Sequence, residues 1–329
     1  MVGGLVSHPC HASPDSLYHE VRPAMGTTVE IYLYAPGSER AAELFEAAFE
    51  EIERVEAALS HYRPTSEISR INTAAARGSV ITDPEVFGLI QQALDYSRRS
   101  GGAFDITVGP LVRAWGFFRD DGNYPSPDEL LAARAKVGWQ HVAPDSAARS
   151  IRFLTPGIEL DLGGIGKGFA LDHAARILQR HGVTAALLGV GQSSYLALGA
   201  PPGAEGWPIT VSCPSEPARA LSTVRLRDRS LSTSGNDQKY FELDGQRYSH
   251  IIDPRTGQPT AGMMQVTVTA LTATESDALS TALFVLGLER AADLIEETGG
   301  AAALLVVGYE GQHRVVAIGW TEELARWSR

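Results

Sequence analysis

The alternation of hydrophobic and polar residues predicts a chain in which helices and short strands are interspersed. Residues 27–34 alternate, with Val29, Ile31 and Leu33 on one face, and this pattern predicts a strand. Residues 38–60 repeat hydrophobic side chains at three- and four-residue steps, which is typical of a long amphipathic helix. Further helices are predicted over residues 84–100, 127–137 (with Ser126 as the cap), 169–181 and 276–286.

Short strands with hairpin signals dominate the rest of the pattern. The pair Asp244-Gly245 is a typical two-residue hairpin turn. Helices mixed with hairpin strands favour the α+β class over a regular alternation of parallel strands and helices. No linker divides the chain, so we expect one compact unit over residues 17–329, preceded by a loose tail at residues 1–16. The predicted strands cover residues 158–162, 185–190, 195–199, 209–212, 222–227, 240–243, 266–270, 303–307 and 314–317.

Composition narrows the classes of function. The 329 residues suffice for a full hydrophobic core, and 28 Lys and Arg against 39 Asp and Glu leave a net charge of −11. This balance argues against nucleic-acid binding, and an anionic ligand would need a metal or a few placed cationic side chains. Cys10 and Cys213 are too far apart to predict a metal site or a disulfide framework. The N-terminus lacks a basic region and a sustained apolar run, so we expect a cytoplasmic protein.

A glycine-rich turn at residues 163–168 joins a predicted strand to a predicted helix. Glycines let the backbone approach a phosphate closely, and a helix N-terminus presents free N–H donors to an anion. Lys167 adds a cation, but no Ser or Thr follows it, so the turn is not a P-loop. Taken alone, the turn is equally explained as a tight strand-to-helix connection with a surface lysine.

Asp277 and Thr281 are four residues apart on a predicted helix and therefore project from the same face. A carboxylate and a hydroxyl are hard oxygen ligands that suit Mg²⁺, with a substrate phosphate completing the shell. The alternative is a capped helix start, in which Asp277 interacts with the helix dipole and Thr281 packs.

Three further segments contain candidate site residues. His250 precedes an apolar pair and an Asp-Pro turn, where a neutral imidazole could take a proton from an attacking hydroxyl; a lone histidine is more often hydrogen-bonded at a strand end. Asp105 could accept hydrogen bonds from a ribose or an adenine amine, or could cap a turn. Tyr62, in a polar loop over residues 61–70, could stack on a flat ring or lie half-buried.

Together, and in this order, these segments resemble the FAD:protein FMN transferase family, also called the ApbE family. The resemblance runs from Met25 to about Gly287, which is most of the chain. Its motifs are Met25-Gly26-Thr27, Tyr62-Arg63-Pro64, Gly102-Ala103-Phe104-Asp105, Trp115-Gly116-Phe117, Asp161-Leu162-Gly163-Gly164-Ile165, Thr233-Ser234-Gly235, Ser249-His250-Ile251-Ile252-Asp253-Pro254 and Asp277-Ala278-Leu279-Ser280-Thr281.

The resemblance implies a single T-fold-like α+β unit of largely antiparallel sheets. It also implies Mg²⁺-dependent transfer of FMN from FAD to a Ser or Thr hydroxyl of an acceptor flavoprotein, with release of AMP. Asp277, Thr281 and the backbone carbonyl of Gly166 would hold Mg²⁺. His250 would be the base, with Asp277 as the other catalytic residue. The residues implied to contact FAD are Met25, Tyr62, Ala103, Phe104, Asp105, Lys167 and Ile251.

The chain departs from the family pattern at two places. Gly191-Gln192-Ser193 stands where the family usually has two glycines and an Asp or Asn, and Gly166 stands where it usually has Ala. Two other functions therefore stay open. One is an FAD pyrophosphatase that uses water as the acceptor, and the other is a flavin-binding protein without turnover.

Overall fold

The computed structural model describes residues 15–118, 122–236, 239–309, 312–321 and 325–327. The predicted tail at residues 1–16, with Cys10, lies almost wholly outside these ranges, and its last residue, Ser16, begins a strand. None of the helices within these ranges has the length and hydropathy needed to cross a membrane.

The elements of the described ranges, numbered in chain order, are strands and helices in mixed succession. The strands are β1 (Ser16–Ala24), β2 (Thr27–Ala35), β3 (Val80–Ile81), β4 (Val142–Asp145), β5 (Ser150–Phe153), β6 (Ala186–Val190), β7 (Ser194–Leu198), β8 (Trp207–Cys213), β9 (Glu216–Leu226), β10 (Ser230–Gly235), β11 (Tyr240–Leu243), β12 (Gln246–Ser249), β13 (Met263–Ala270), β14 (Ala302–Tyr309), β15 (Gln312–Ile318) and β16 (Ala325–Trp327). The helices are α1 (Ser38–Leu59), α2 (Glu67–Ala74), α3 (Pro84–Arg99), α4 (Gly109–Ala114), α5 (Pro127–Arg134), α6 (Gly166–Arg180), α7 (Ala273–Leu286) and α8 (Leu288–Thr298).

One large sheet organises the molecule. Its eight strands follow the spatial order β1-β2-β6-β7-β10-β13-β14-β15, and neighbouring strands pair antiparallel. Smaller sheets join β11 with β12, β16 with β9 and β8, and β3 with β5 and β4. The α+β class with largely antiparallel sheets is therefore confirmed.

Both faces of the large sheet are covered. In β6, Leu188 packs with the residues of α1 and α6, whereas its neighbour Leu187 packs with β8 and β9. In β14, Leu305 packs with residues of α7, and its neighbour Leu304 packs with residues of β8 and β9. This double burial explains why these strands are continuously apolar instead of alternating.

Two sequence predictions about local structure were wrong. Residues 158–162 form no strand but only an isolated bridge between Glu159 and Val108, because the side-chain amide of Asn72 binds both the N–H and the carbonyl of Leu160 in place of a neighbouring strand. The polar loop predicted at residues 61–70 already contains the start of α2, which is capped by the Ser66 hydroxyl. The pattern also missed β1, β3, β4, β5, β16, α4 and α8.

Candidate active site

The starts of α6 and α7 meet in very close contact. The N–H of Gly168 donates to Asp277 Oδ2 at 2.9 Å. A Cβ atom at Gly168 would lie 2.1 Å from the carbonyl oxygen of Ala273, so no larger residue fits there without separating the helices. Helix α6 begins at Gly166, earlier than the predicted start at residue 169, because part of the glycine-rich turn is itself helical.

Asp172 of α6 holds the first turn of α7. Its buried carboxylate accepts the N–H of Ala273 at 2.8 Å, the N–H of Thr274 at 2.9 Å, and the Thr274 hydroxyl. A carboxylate at a helix N-terminus satisfies free N–H groups and interacts favourably with the helix dipole. Asp172 was not singled out from the sequence. The feature that could have identified it is an acid that follows three apolar residues within α6.

Asp277 and Thr281 lie beside the glycine-rich turn, as their predicted role requires. Asp277 is 5% exposed; burial raises the pKa of its carboxyl group, while the Lys167 ammonium and the Gly168 N–H oppose that rise. A Cβ atom at Gly164 would lie 3.2 Å from Thr281 Oγ1, so the turn and α7 are in contact. The structure therefore brings the turn, Lys167, Asp277 and Thr281 together.

This group of oxygen atoms fits a hard cation. The buried Ser194 hydroxyl has no hydrogen-bond partner of normal geometry in the described part of the chain, yet it is close enough to lower the pKa of Asp277. Within the same residues, no group of three His, Cys, Asp or Glu side chains could hold a metal. A cation here would depend on one carboxylate, hydroxyl and backbone oxygens, and a ligand, which is the donor set that Mg²⁺ accepts.

Lys167 is bound to a neutral partner. Its ammonium donates to Ser193 Oγ at 2.8 Å, at the position where the family usually has an acid or an amide. The charge of Lys167 acts instead on Asp277 and on His250, since it lowers the pKa of both groups.

His250 stands at the base of the β11–β12 hairpin in a defined tautomer. Its ring Nδ1 lies 2.9 Å from the carbonyl oxygen of Lys239, so Nδ1 carries the proton and Nε2 has the free lone pair. Burial lowers the pKa of His250 to about 4, against the opposing effect of the hydrogen bond to the Lys239 carbonyl; the charges of Lys167 and Lys239 lower the pKa further, and Asp161 raises it slightly. The imidazole is therefore neutral at pH 7.

Aromatic rings line another side of the site. The ring of Tyr62, which is 55% exposed, lies 4.0 Å from the His61 ring and 4.8 Å from the Phe118 ring. His61 Nδ1 is 3.4 Å from Asp161 Oδ1. His61 and Asp161 were not singled out individually from the sequence, because neither residue stands out until the fold brings the two together.

The carboxylate of Asp105 is engaged inside the protein. It accepts the N–H and hydroxyl of Thr107 at 2.9 and 2.7 Å and the N–H of Trp139 at 2.8 Å. This is the turn-capping alternative, although Asp105 also lines a cleft of about 380 Å³ with Gly102, Trp139 and Arg255.

The other predicted FAD contacts lie around the turn or near it. Phe104 is buried, and its ring edge is 3.3 Å from the Cβ position of Gly164; Ala103 is buried beside it. Met25 has a left-handed backbone (φ 55°) and donates its N–H to Glu56 at 2.7 Å. Ile251 is buried in the core cluster that also contains Phe104.

Known proteins match this chain over most of its length. Residues 25–305 match the model of the ApbE family. The FAD:protein FMN transferase of Salmonella typhimurium is 32% identical over 293 residues, which cover 87% of this chain and 83% of that protein. A FAD:protein FMN transferase of Klebsiella pneumoniae is 36% identical over 259 residues, which cover 77% of this chain and 74% of that protein.

Solved structures agree with the fold. The ApbE protein of Thermotoga maritima has a TM-score of 0.83 at 31% identity, covering 92% of this chain and 97% of that one. The flavin transferase ApbE of Vibrio cholerae has a TM-score of 0.82 at 29% identity, covering 93% of this chain and 98% of that one. The resemblance drawn from the motifs is thereby confirmed: the chain belongs to the ApbE family.

Proposed function

We propose that this chain transfers FMN from FAD to a Ser or Thr hydroxyl of an acceptor flavoprotein, with Mg²⁺, and releases AMP. The observation that carries the proposal is the junction of α6 and α7, where Lys167, Asp277 and Thr281 surround a helix N-terminus. Similar proteins named FAD:protein FMN transferase support the same reaction.

The junction is suited to a pyrophosphate. The N–H groups of Gly166 and Gly168 at the start of α6 are taken by the Leu162 carbonyl and by Asp277, so the cation at this end of the helix is Lys167, in a chain whose net charge is −11. Asp277, Thr281 and the carbonyl of Gly166 would hold Mg²⁺, which when bound neutralises phosphate charge and fixes its position. The protein's own contribution is mainly to position the reacting groups.

His250 would act as the base. The acceptor oxygen forms a bond to the FMN phosphorus, the phosphoanhydride bond breaks, and its electron pair leaves with AMP. The hydroxyl proton passes to Nε2 of His250, the nitrogen that carries the lone pair. Because the pKa of His250 is about 4, this nitrogen is free to accept a proton at any pH near neutrality.

The flat rings of FAD would be held on either side of the junction. The exposed ring of Tyr62 offers a stacking surface for the flavin, while Ala103, Phe104 and the segment at Asp105 would contact the rest of the dinucleotide. Met25 and Ile251 would contribute apolar contacts from nearby segments.

An assay of AMP release tests the proposal. The purified chain is incubated with FAD and Mg²⁺, with and without an acceptor protein that carries a modifiable Ser or Thr. We expect AMP to appear in step with the loss of free flavin, and only when the acceptor is present. Equal release of FMN and AMP without an acceptor would identify a pyrophosphatase, and FAD binding without AMP would identify a non-catalytic flavin protein.

A further inference from the structure

We propose that His61 determines specificity for the flavin ring by accepting a hydrogen bond from its N–H group. The inference rests on the proposed function, because it takes FAD as the ligand. It concerns a residue that lies outside the phosphate site and outside the pair of residues proposed for catalysis.

The imidazole of His61 faces the carboxylate of Asp161. Nδ1 of His61 lies 3.4 Å from Asp161 Oδ1, and the two side chains are only 10% and 13% exposed. The same carboxylate oxygen accepts the N–H of Gly163 at 2.8 Å, so His61 lies close to the glycine-rich turn. In the same turn, the Cβ position of Gly164 is 3.2 Å from Thr281 Oγ1, so His61 lies at the edge of the candidate active site.

The other ring nitrogen of His61 has no hydrogen-bond partner among the described residues. Nε2 is buried and makes no hydrogen bond to any residue that the structure describes. Buried polar atoms are almost always paired, so an orphan atom of this kind indicates a missing water or ligand. Because Nδ1 faces a carboxylate, we assign the ring proton to Nδ1; Nε2 is then an acceptor, and its partner is a donor.

The surrounding rings indicate what that ligand is. His61 lies against Tyr62 at 4.0 Å and Phe118 at 5.3 Å, and the guanidinium of Arg113 covers Phe118 at 3.9 Å. A flat aromatic ligand stacked on this wall would present its edge to His61. Oxidised isoalloxazine has a single ring N–H, at N3, so this group is the donor that Nε2 would accept.

The test compares ligands that share or lack the flavin. Calorimetry gives the Kd of FAD, of ADP and of FAD methylated at N3 for the wild type and for His61→Phe, which keeps ring volume and stacking. Loss of one hydrogen bond should weaken FAD binding by about 3–10-fold and leave ADP binding unchanged. The wild type should discriminate against the methylated ligand by a similar factor, and His61→Phe should not.

Matched variants show that the effect is local. His181→Phe makes the same chemical change at the exposed end of α6 and should alter neither Kd. His61→Gln, whose amide oxygen is an acceptor, should restore part of the FAD affinity.

Two results would overturn the inference: an equal loss of FAD and ADP affinity in His61→Phe, or unchanged discrimination against the methylated ligand. Both leave FAD binding by the wild type intact, whereas a wild type that binds no FAD would refute the proposed function itself.

Discussion

The phosphate side and the ring side of the candidate site are built in different ways. At the phosphate side, two helices meet so closely that only glycine fits at position 168, and buried carboxylates satisfy the backbone. At the ring side, the loop after α1 and the β11–β12 hairpin carry partly exposed rings and an unpaired nitrogen. We infer that changes at the phosphate side alter the local geometry and the charge of the site together, whereas changes at the ring side alter only ligand recognition or proton transfer.

The largest effect is expected at Asp277. Asp277→Ala removes the only carboxylate proposed to hold Mg²⁺, so FMN transfer should be abolished while the circular dichroism spectrum is unchanged. Asp293→Ala, which removes an exposed acid from α8, is the matched control and should keep full activity. Retained activity of Asp277→Ala with the same Mg²⁺ dependence would show that Asp277 does not hold the metal.

A substitution at His250 tests the role of the ring side in proton transfer. His250→Ala should slow transfer by about 10²–10⁴-fold, because the acceptor hydroxyl loses its proton acceptor. FAD affinity, measured by fluorescence titration, should change little. A loose transition state needs only modest help from a base, so a variant with near-normal rates would mean that His250 is structural.

Asp172 tests whether the phosphate side depends on the contact between its helices. Asp172→Asn leaves one acceptor oxygen for two buried N–H groups, so the free energy of unfolding in urea should fall by about 1–3 kcal/mol. The Mg²⁺ concentration needed for half-maximal activity should rise as well, because α7 carries Asp277. A loss of stability with an unchanged Mg²⁺ requirement would show that Asp172 stabilises the fold but does not position the metal site.

The pH profile sharpens the assignment of the base. The pKa of His250 lies at about 4, below the ordinary 6.5, because of burial, so its neutral form persists to acidic pH and is lost only as the pH falls through 4. The transfer rate should therefore be nearly constant from pH 7 to about 5 and fall by about tenfold per pH unit below 4. The His250→Ala variant should lack this acidic limb; an acidic limb near pH 6.5 in the wild type would contradict the assignment.

The sequence predicted best what local rules determine. Asp277 and Thr281 share a helix face because of helical periodicity, and Asp244-Gly245 forms the hairpin turn because of its backbone preference. It could not predict contacts made across the fold. Asp172 caps a helix that begins about a hundred residues later, and His61 meets Asp161 only after α1 and the glycine-rich turn pack together.

The same limit explains the predictions that need correction. Residues 158–162 alternate like a strand, and Ile158, Leu160 and Leu162 are indeed buried. Their backbone, however, makes only one isolated bridge and joins no sheet. Local pattern also left two roles open for Asp105, and the partners of its carboxylate include Trp139, which is far along the chain. Local pattern gives no information about such partners.

Mass spectrometry of an acceptor protein tests the central claim most directly. An acceptor flavoprotein is incubated with this chain, FAD and Mg²⁺, and its intact mass and modified peptide are then measured. We predict that the acceptor gains the mass of one FMN on a Ser or Thr residue, with one AMP released for each FMN attached, and that neither occurs with Asp277→Ala. An unmodified acceptor in a reaction that releases free FMN and AMP would contradict it.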